Sequence, residues 1–221
     1  MSDSAPPADR SAAASDDLLP EDATRADFYA LLAALYAGGP GRGLLHAIEH
    51  APALGVPTFI DRDASKVLDL ASAWDRLRAA SAAMTAEAAE QEYVDLFVGV
   101  GRCEVNLHAS HWLTGFMMDR PLAKLRATLA ALGLQRKADA ALVEDHLSAL
   151  CETMRLLIAG SAGGAPADAA TQREFFAAHI EPWIDRCMAA IGTHAIANYY
   201  RRVAEFTECF IALERESLVM D

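Results

Sequence analysis

The sequence predicts an all-α protein, a globular helical bundle, on three observations. Apolar residues recur at three- and four-residue intervals along most of the chain. No run of alternating β-branched residues is long enough to demand a sheet. No strict heptad persists, which separates a globular bundle from a coiled coil, and no internal repeat occurs at solenoid spacing.

The helices follow in order. Thr24 caps the first, with Phe28, Leu31, Leu32, Leu35 and Tyr36 on one face and Gly38 at its end. A short helix from Leu44 to His50 stops before Pro52. Val67, Leu70, Ala71, Trp74 and Leu77 form the next apolar stripe, and Thr85 opens a segment carrying Tyr93, Leu96 and Phe97. Gly99 to Trp112 has no sustained period and reads as irregular. Pro121 suits the first turn of another helix, which Gly133 closes. Val143 begins a helix with Glu144 and Asp145 in its first turn, where negative charge favours the dipole, and Leu147, Leu150, Cys151, Met154 and Leu157 form its buried side. A flexible linker spans Ser161 to Ala170, followed by a capping box of Thr171 and Glu174 ahead of Phe175 and Phe176. Pro182 either kinks that helix or breaks it, in which case it suits the first turn of a new one that buries Trp183. The last long helix runs through Tyr199, Val203, Phe206, Phe210 and Leu213.

Residues 1–20 are rich in Ala, Ser, Asp and Pro and are expected to form a disordered leader, with a single domain over 21–221. The leader lacks the basic and apolar parts of a secretory signal. No stretch has the roughly 18 to 20 apolar residues of a membrane span, so stable membrane insertion is not expected. The formal net charge of −12 argues against nucleic acid as partner and is compatible with a basic peptide as ligand. Cys103, Cys151, Cys187 and Cys209 form no C-x-x-C pair, so the expectation is buried thiols in a reducing compartment, the cytoplasm.

Glu144-Asp145-His146 sets carboxylates beside an imidazole. An acid–base pair is one reading; helix capping plus a surface histidine is the other, because sequence neighbours point to different helix faces. Catalysis would also require a nucleophile elbow or a phosphate-cradling glycine loop, and Gly99-Val100-Gly101 is too short for one. His46 and His50 have metal-ligand spacing without the H-E-x-x-H order and read as surface histidines. His108 and His111, beside Trp112, suit a groove better than a metal. A helical metal-dependent hydrolase using His and Asp residues is the competing reading, and it requires at least three convergent ligands. The expectation is no enzyme, no metal and no cofactor.

Four segments, in order, resemble one family. Glu92-Tyr93-Val94-Asp95-Leu96-Phe97-Val98-Gly99 is similar to the E-Y-x-x-L-F-x-G segment of the TorD/DmsD/NarJ chaperones. Val143-Glu144-Asp145-His146-Leu147 is similar to their E-P-x-D-H signature, here without the proline. Phe176-Ala177-Ala178-His179-Ile180-Glu181-Pro182-Trp183 matches their F-x-x-H-x-x-P-W element, and Tyr199 to Leu213 resembles their final helix.

The resemblance implies a cytoplasmic helical chaperone of redox-enzyme maturation. Such a protein binds the N-terminal signal, twin-arginine or vestigial, and the apo catalytic subunit of a molybdopterin oxidoreductase until cofactor insertion is complete. It further implies weak guanine nucleotide binding in some relatives, and domain-swapped dimers through a hinge, here residues 133–144, beside a monomer. The expected peptide site comprises Asp145 and Glu144 for the arginines, with His146 and Ser110 beside them. Tyr93, Leu96, Phe97 and Trp112 would line the apolar groove.

Overall fold

The computed structural model describes residues 18–55, 64–136, 140–161 and 164–220. Among them are ten α-helices and no strand: α1 (Pro20–Ala37), α2 (Arg42–His50), α3 (Ala64–Ala83), α4 (Ala86–Tyr93), α5 (Ala109–Thr114), α6 (Arg120–Ala131), α7 (Leu147–Ala159), α8 (Ala169–His179), α9 (Glu181–Thr193) and α10 (Tyr199–Met220). A single π-turn, Val94–Val98, extends α4. The expected leader lies, up to residue 17, outside the described residues, as do residues 137–139 of the hinge segment and 162–163 of the linker.

The core forms because the apolar stripes meet. α1 packs along α7, and α10 along α3 and α9. Phe28, Trp74, Phe206 and Phe210 make edge and tilted ring contacts at 5.2 to 6.0 Å. A second group, Tyr36, Tyr93, Phe97 and Tyr200, joins α1, α4 and α10. The phenols keep partners inside it: Tyr93 Oη donates to the Tyr36 carbonyl at 3.1 Å and Tyr200 Oη to the Leu35 carbonyl at 2.9 Å.

Two buried acids tie distant helices. Arg25 of α1 clasps Glu214 of α10 with two bonds, Nε at 3.1 Å and Nη2 at 2.6 Å. Glu92 accepts from the backbone N–H groups of Asn198, Tyr199 and Tyr200 at 2.8, 3.0 and 2.8 Å. It therefore caps α10 from 106 residues away in the chain.

Several boundaries differ from the sequence reading. α1 starts at Pro20, so Thr24 lies inside it, bonding the Pro20 carbonyl. The α8 cap is Asp168, whose carboxylate accepts from Thr171 N at 2.8 Å, and Thr171 sits in the first turn. α5 forms within the stretch expected to be irregular. Val143, Glu144 and Asp145 precede a helix rather than begin one: α7 starts at Leu147 with His146 as its cap. The reason is that His146 takes extended backbone and pairs with His108, which a helical turn there would forbid. Thr85 caps α4, Pro121 and Pro182 occupy first turns, and Gly133 follows α6 with φ +70°, in accord with the sequence.

Candidate functional site

Two short segments 35 residues apart build the site around Asp145. Asn106 Oδ1 accepts from His108 N at 2.8 Å, turning the chain, and the Trp112 indole donates to the Asn106 carbonyl at 2.7 Å. The turned segment then meets the chain entering α7 in a single antiparallel bridge. Ala109 N donates to the Asp145 carbonyl at 2.9 Å, and Leu147 N to the Leu107 carbonyl at 2.8 Å. With the backbones joined, the Asp145 carboxylate falls at the first turn of α5. Its Oδ2 accepts from Ser110 N at 3.0 Å and Ser110 Oγ at 2.5 Å. Asp145 is 1% exposed, and its Oδ1 is buried with no hydrogen-bond partner. A buried carboxylate oxygen without a donor is costly, and a donor from a ligand would remove that cost.

Asp145 lines a cleft of about 400 Å³. One side is the end of α5, Leu113 and Thr114; another is α6, through Arg120, Pro121, Lys124 and Leu125. The α8–α9 junction closes it with Ala178, His179 and Pro182. His179 Nε2 lies 3.0 Å from Thr128 Oγ1. Burial, and secondarily the Lys124 charge, push its pKa down to about 4, so the imidazole is neutral at pH 7. His146 is likewise pushed down to about 3 by burial and then by His108, and its Nδ1 accepts from Ser148 N at 3.2 Å. An acceptor Nδ1 is an unprotonated one, so the ring serves as a helix cap.

Beside the cleft the chain displays an apolar ridge. Gly115 ends α5 at φ +82°, and Met118 takes φ +55°, a conformation a side chain rarely adopts. Phe116 and Met118 are 71% and 69% exposed, with Leu113 and Met117 also in solvent. Large apolar groups grouped in this way mark an interaction surface more often than single exposed ones do.

The structure brings together only part of the expected site. Asp145, Ser110 and His146 meet as described. Glu144 accepts from Arg126 Nε and Nη2, both at 3.0 Å, and so is already engaged. Trp112 is half-buried and braces the Asn106 turn. Tyr93 and Phe97 pack against Tyr36 and Tyr200, Leu96 is buried in the same core, and none of the three lines the cleft. His108 packs edge-on against His146 at 4.8 Å, and burial lowers its pKa although Asp145 opposes that. His46 and His50 stack in solvent on α2. Sequence reasoning passed over Arg120, Lys124, His179 and the Phe116–Met118 ridge. The signal available was the F-x-x-H-x-x-P-W segment, whose His179 and Pro182 line the cleft.

The four cysteines are free, with Cys151 and Cys187 buried and Cys103 and Cys209 partly so. Among the described residues no group of three or more His, Cys, Asp or Glu side chains is arranged to hold a metal ion. No helix among them is long and apolar enough to cross a membrane. A search of curated proteins finds no match to the chain. The family described as nitrate reductase delta subunit matches residues 64–189, which run from α3 into α9 and contain the whole cleft. Since that match covers more than half of the sequence, the chain belongs to the nitrate reductase delta subunit family, whose members are maturation chaperones of molybdoenzymes and not catalysts.

Proposed function

We propose that this chaperone acts in the cytoplasm on the catalytic subunit of a molybdenum or tungsten oxidoreductase. It binds the subunit's N-terminal signal, twin-arginine or vestigial, and holds the apo form until the cofactor is inserted, before export or membrane docking. The observation that carries this reading is the pairing of an unpartnered, buried Asp145 Oδ1 with the exposed ridge of Phe116, Met117 and Met118. A guanidinium or other N–H donor of the client satisfies the oxygen by a charge-assisted bond, and the client's apolar helix covers the ridge. The buried bond sets orientation; most of the affinity comes from apolar area removed from water. The revised site is thus Asp145, His179, Leu113 and Phe116, while Tyr93, Leu96 and Phe97 support the fold. The hydrolase alternative is not favoured by the family.

Asp145→Asn tests the assignment with little disturbance, because an asparagine oxygen still serves Ser110 while an NH₂ replaces the free acceptor. Isothermal titration with the N-terminal peptide of an oxidoreductase subunit encoded beside this gene should show binding about ten- to a hundredfold weaker. That matches a charged hydrogen bond of roughly 1.5 to 3 kcal/mol. Equal affinity of parent and variant would rule the cleft out as the client site.

A further inference from the structure

The cleft holds opposite charges that the protein itself does not pair. Arg120 and Lys124 are four residues apart on α6, hence on one face, and both line the cleft with Asp145. α6 contains no acidic residue. Its third cation, Arg126, is taken by Glu144, whereas among the described residues neither Arg120 nor Lys124 has a carboxylate within ion-pair distance. His179 adds no charge at neutral pH. Asp119, the cap of α6, feels the Arg120 charge without closing an ion pair with it. A client segment bearing arginines alone would therefore meet two like charges lining the cleft, with Asp145 as the carboxylate that lines it beside them.

We infer that the cleft recognises a dipolar client segment, placing a basic side chain on Asp145 Oδ1 and a neighbouring client carboxylate on Arg120 and Lys124. This rests on the cleft being the client site. The acidic end of that recognition is already built. Asp145 is 1% exposed and its Oδ2 is fixed by two bonds from Ser110, so Oδ1 is oriented before any ligand arrives. The cationic end is exposed, suited to a carboxylate that the planar Arg120 fork can grip with two bonds. On a chain with a net charge of −12, a local basic pair favours the approach of an acidic residue. The same pair repels segments that are only basic, so selection is made by repulsion as well as attraction.

Calorimetry with two synthetic peptides tests this. Each carries an arginine pair followed by an apolar, helix-forming stretch; they differ only in having Asp or Asn beside the arginines. The Asp peptide should bind the parent about tenfold tighter, the equivalent of one well-placed charged contact. In an Arg120→Ala, Lys124→Ala double variant, which changes only exposed side chains, that preference should vanish. Asp145→Asn should weaken both peptides alike. Equal affinity of the two peptides for the parent overturns the dipolar inference while leaving the cleft a site for basic segments. If neither peptide binds, or if Asp145→Asn changes neither, the client reading falls and this inference with it. Inorganic phosphate is titrated separately: a Lys124-dependent phosphate complex together with equal peptide affinities assigns the two cations to a free anion and overturns the inference as well.

Discussion

Replacing Glu92 with alanine is expected to cost this protein a large share of its stability, although Glu92 touches no part of the cleft. Its carboxylate accepts from three backbone N–H groups at the start of α10, two of them on the fully buried Tyr199 and Tyr200. Loss of an N-cap alone costs about 1 kcal/mol. Stranding the two buried N–H groups adds roughly 1 to 3 kcal/mol apiece, so a total of about 3 to 7 kcal/mol follows. For a chain of this size, each kcal/mol lowers Tm by roughly 2 to 4 °C, which predicts a fall of about 10 °C. Glu92→Gln should lose less, because it keeps one acceptor oxygen and turns an NH₂ toward the remaining donors. Asp95→Ala, an exposed neighbour bonded only to Gln91, is the control and should stay within about 0.5 kcal/mol. Thermal melts by circular dichroism and urea midpoints at unchanged m report all three variants. A Glu92→Ala melting within about 2 °C of the parent would show that the cap is not what holds α10 in place.

The remaining predictions concern pH, backbone and surface. His146 and His179 have pKa values lowered by burial to about 3 and about 4, so between pH 6.5 and these values only the unfolded chain takes up their protons. Their contribution is therefore complete above pH 6.5 and is lost as pH falls below it, at no more than about 1.4 kcal/mol per pH unit for each. Urea midpoints at several pH values from 7 down to 5 check this, and a flat profile there would refute it. Gly99 takes φ +65°, and a Cβ on it would collide with the Arg102 carbonyl oxygen; Gly101, at φ +89°, has open space. Gly99→Ala should thus lower Tm well beyond Gly101→Ala, whose cost is backbone strain alone, roughly 1 to 3 kcal/mol. Equal losses would mean that the collision relaxes away. Phe116→Ser should leave the melt unchanged yet reduce binding of a hydrophobic dye and of the client peptide, and undiminished dye fluorescence would show that the ridge is not the apolar surface being sensed.

Periodicity identified the long helices because each must bury one stripe, and Leu70, Trp74 and Leu77, or Val203, Phe206 and Phe210, do so. It failed where partners are remote. α5 has six residues, too few to show a period, and its first turn is completed by Asp145 from 35 residues away. The start of α7 escapes local pattern for the same reason, since the bridge between His108 and His146 is invisible to any local window. The family-like segments pointed to Asp145 and Ser110 as parts of the site. They also suggested Tyr93, Leu96 and Phe97, because an apolar helix face reads the same whether it meets a ligand or the protein's own core. Arg120 and Lys124 read as ordinary solvated charges; what sets them apart is that they line the cleft beside Asp145 with no ion-pair partner among the described residues.

The way α10 is fastened bears on when this protein becomes usable after synthesis. The Arg25–Glu214 clasp spans 189 residues, the Ser81–Tyr199 bond 118 and the Glu92 cap 106 to 108. Contacts of such sequence separation form late, since loop-closure entropy must be met before they contribute. Until residues 199–218 have left the ribosome, Trp74 and Tyr36 lack their α10 neighbours and the Glu92 carboxylate has no helix to cap. A chain interrupted before that point exposes aromatic surface and invites proteolysis, whereas release of the last helix completes the core and the Glu92 cap together.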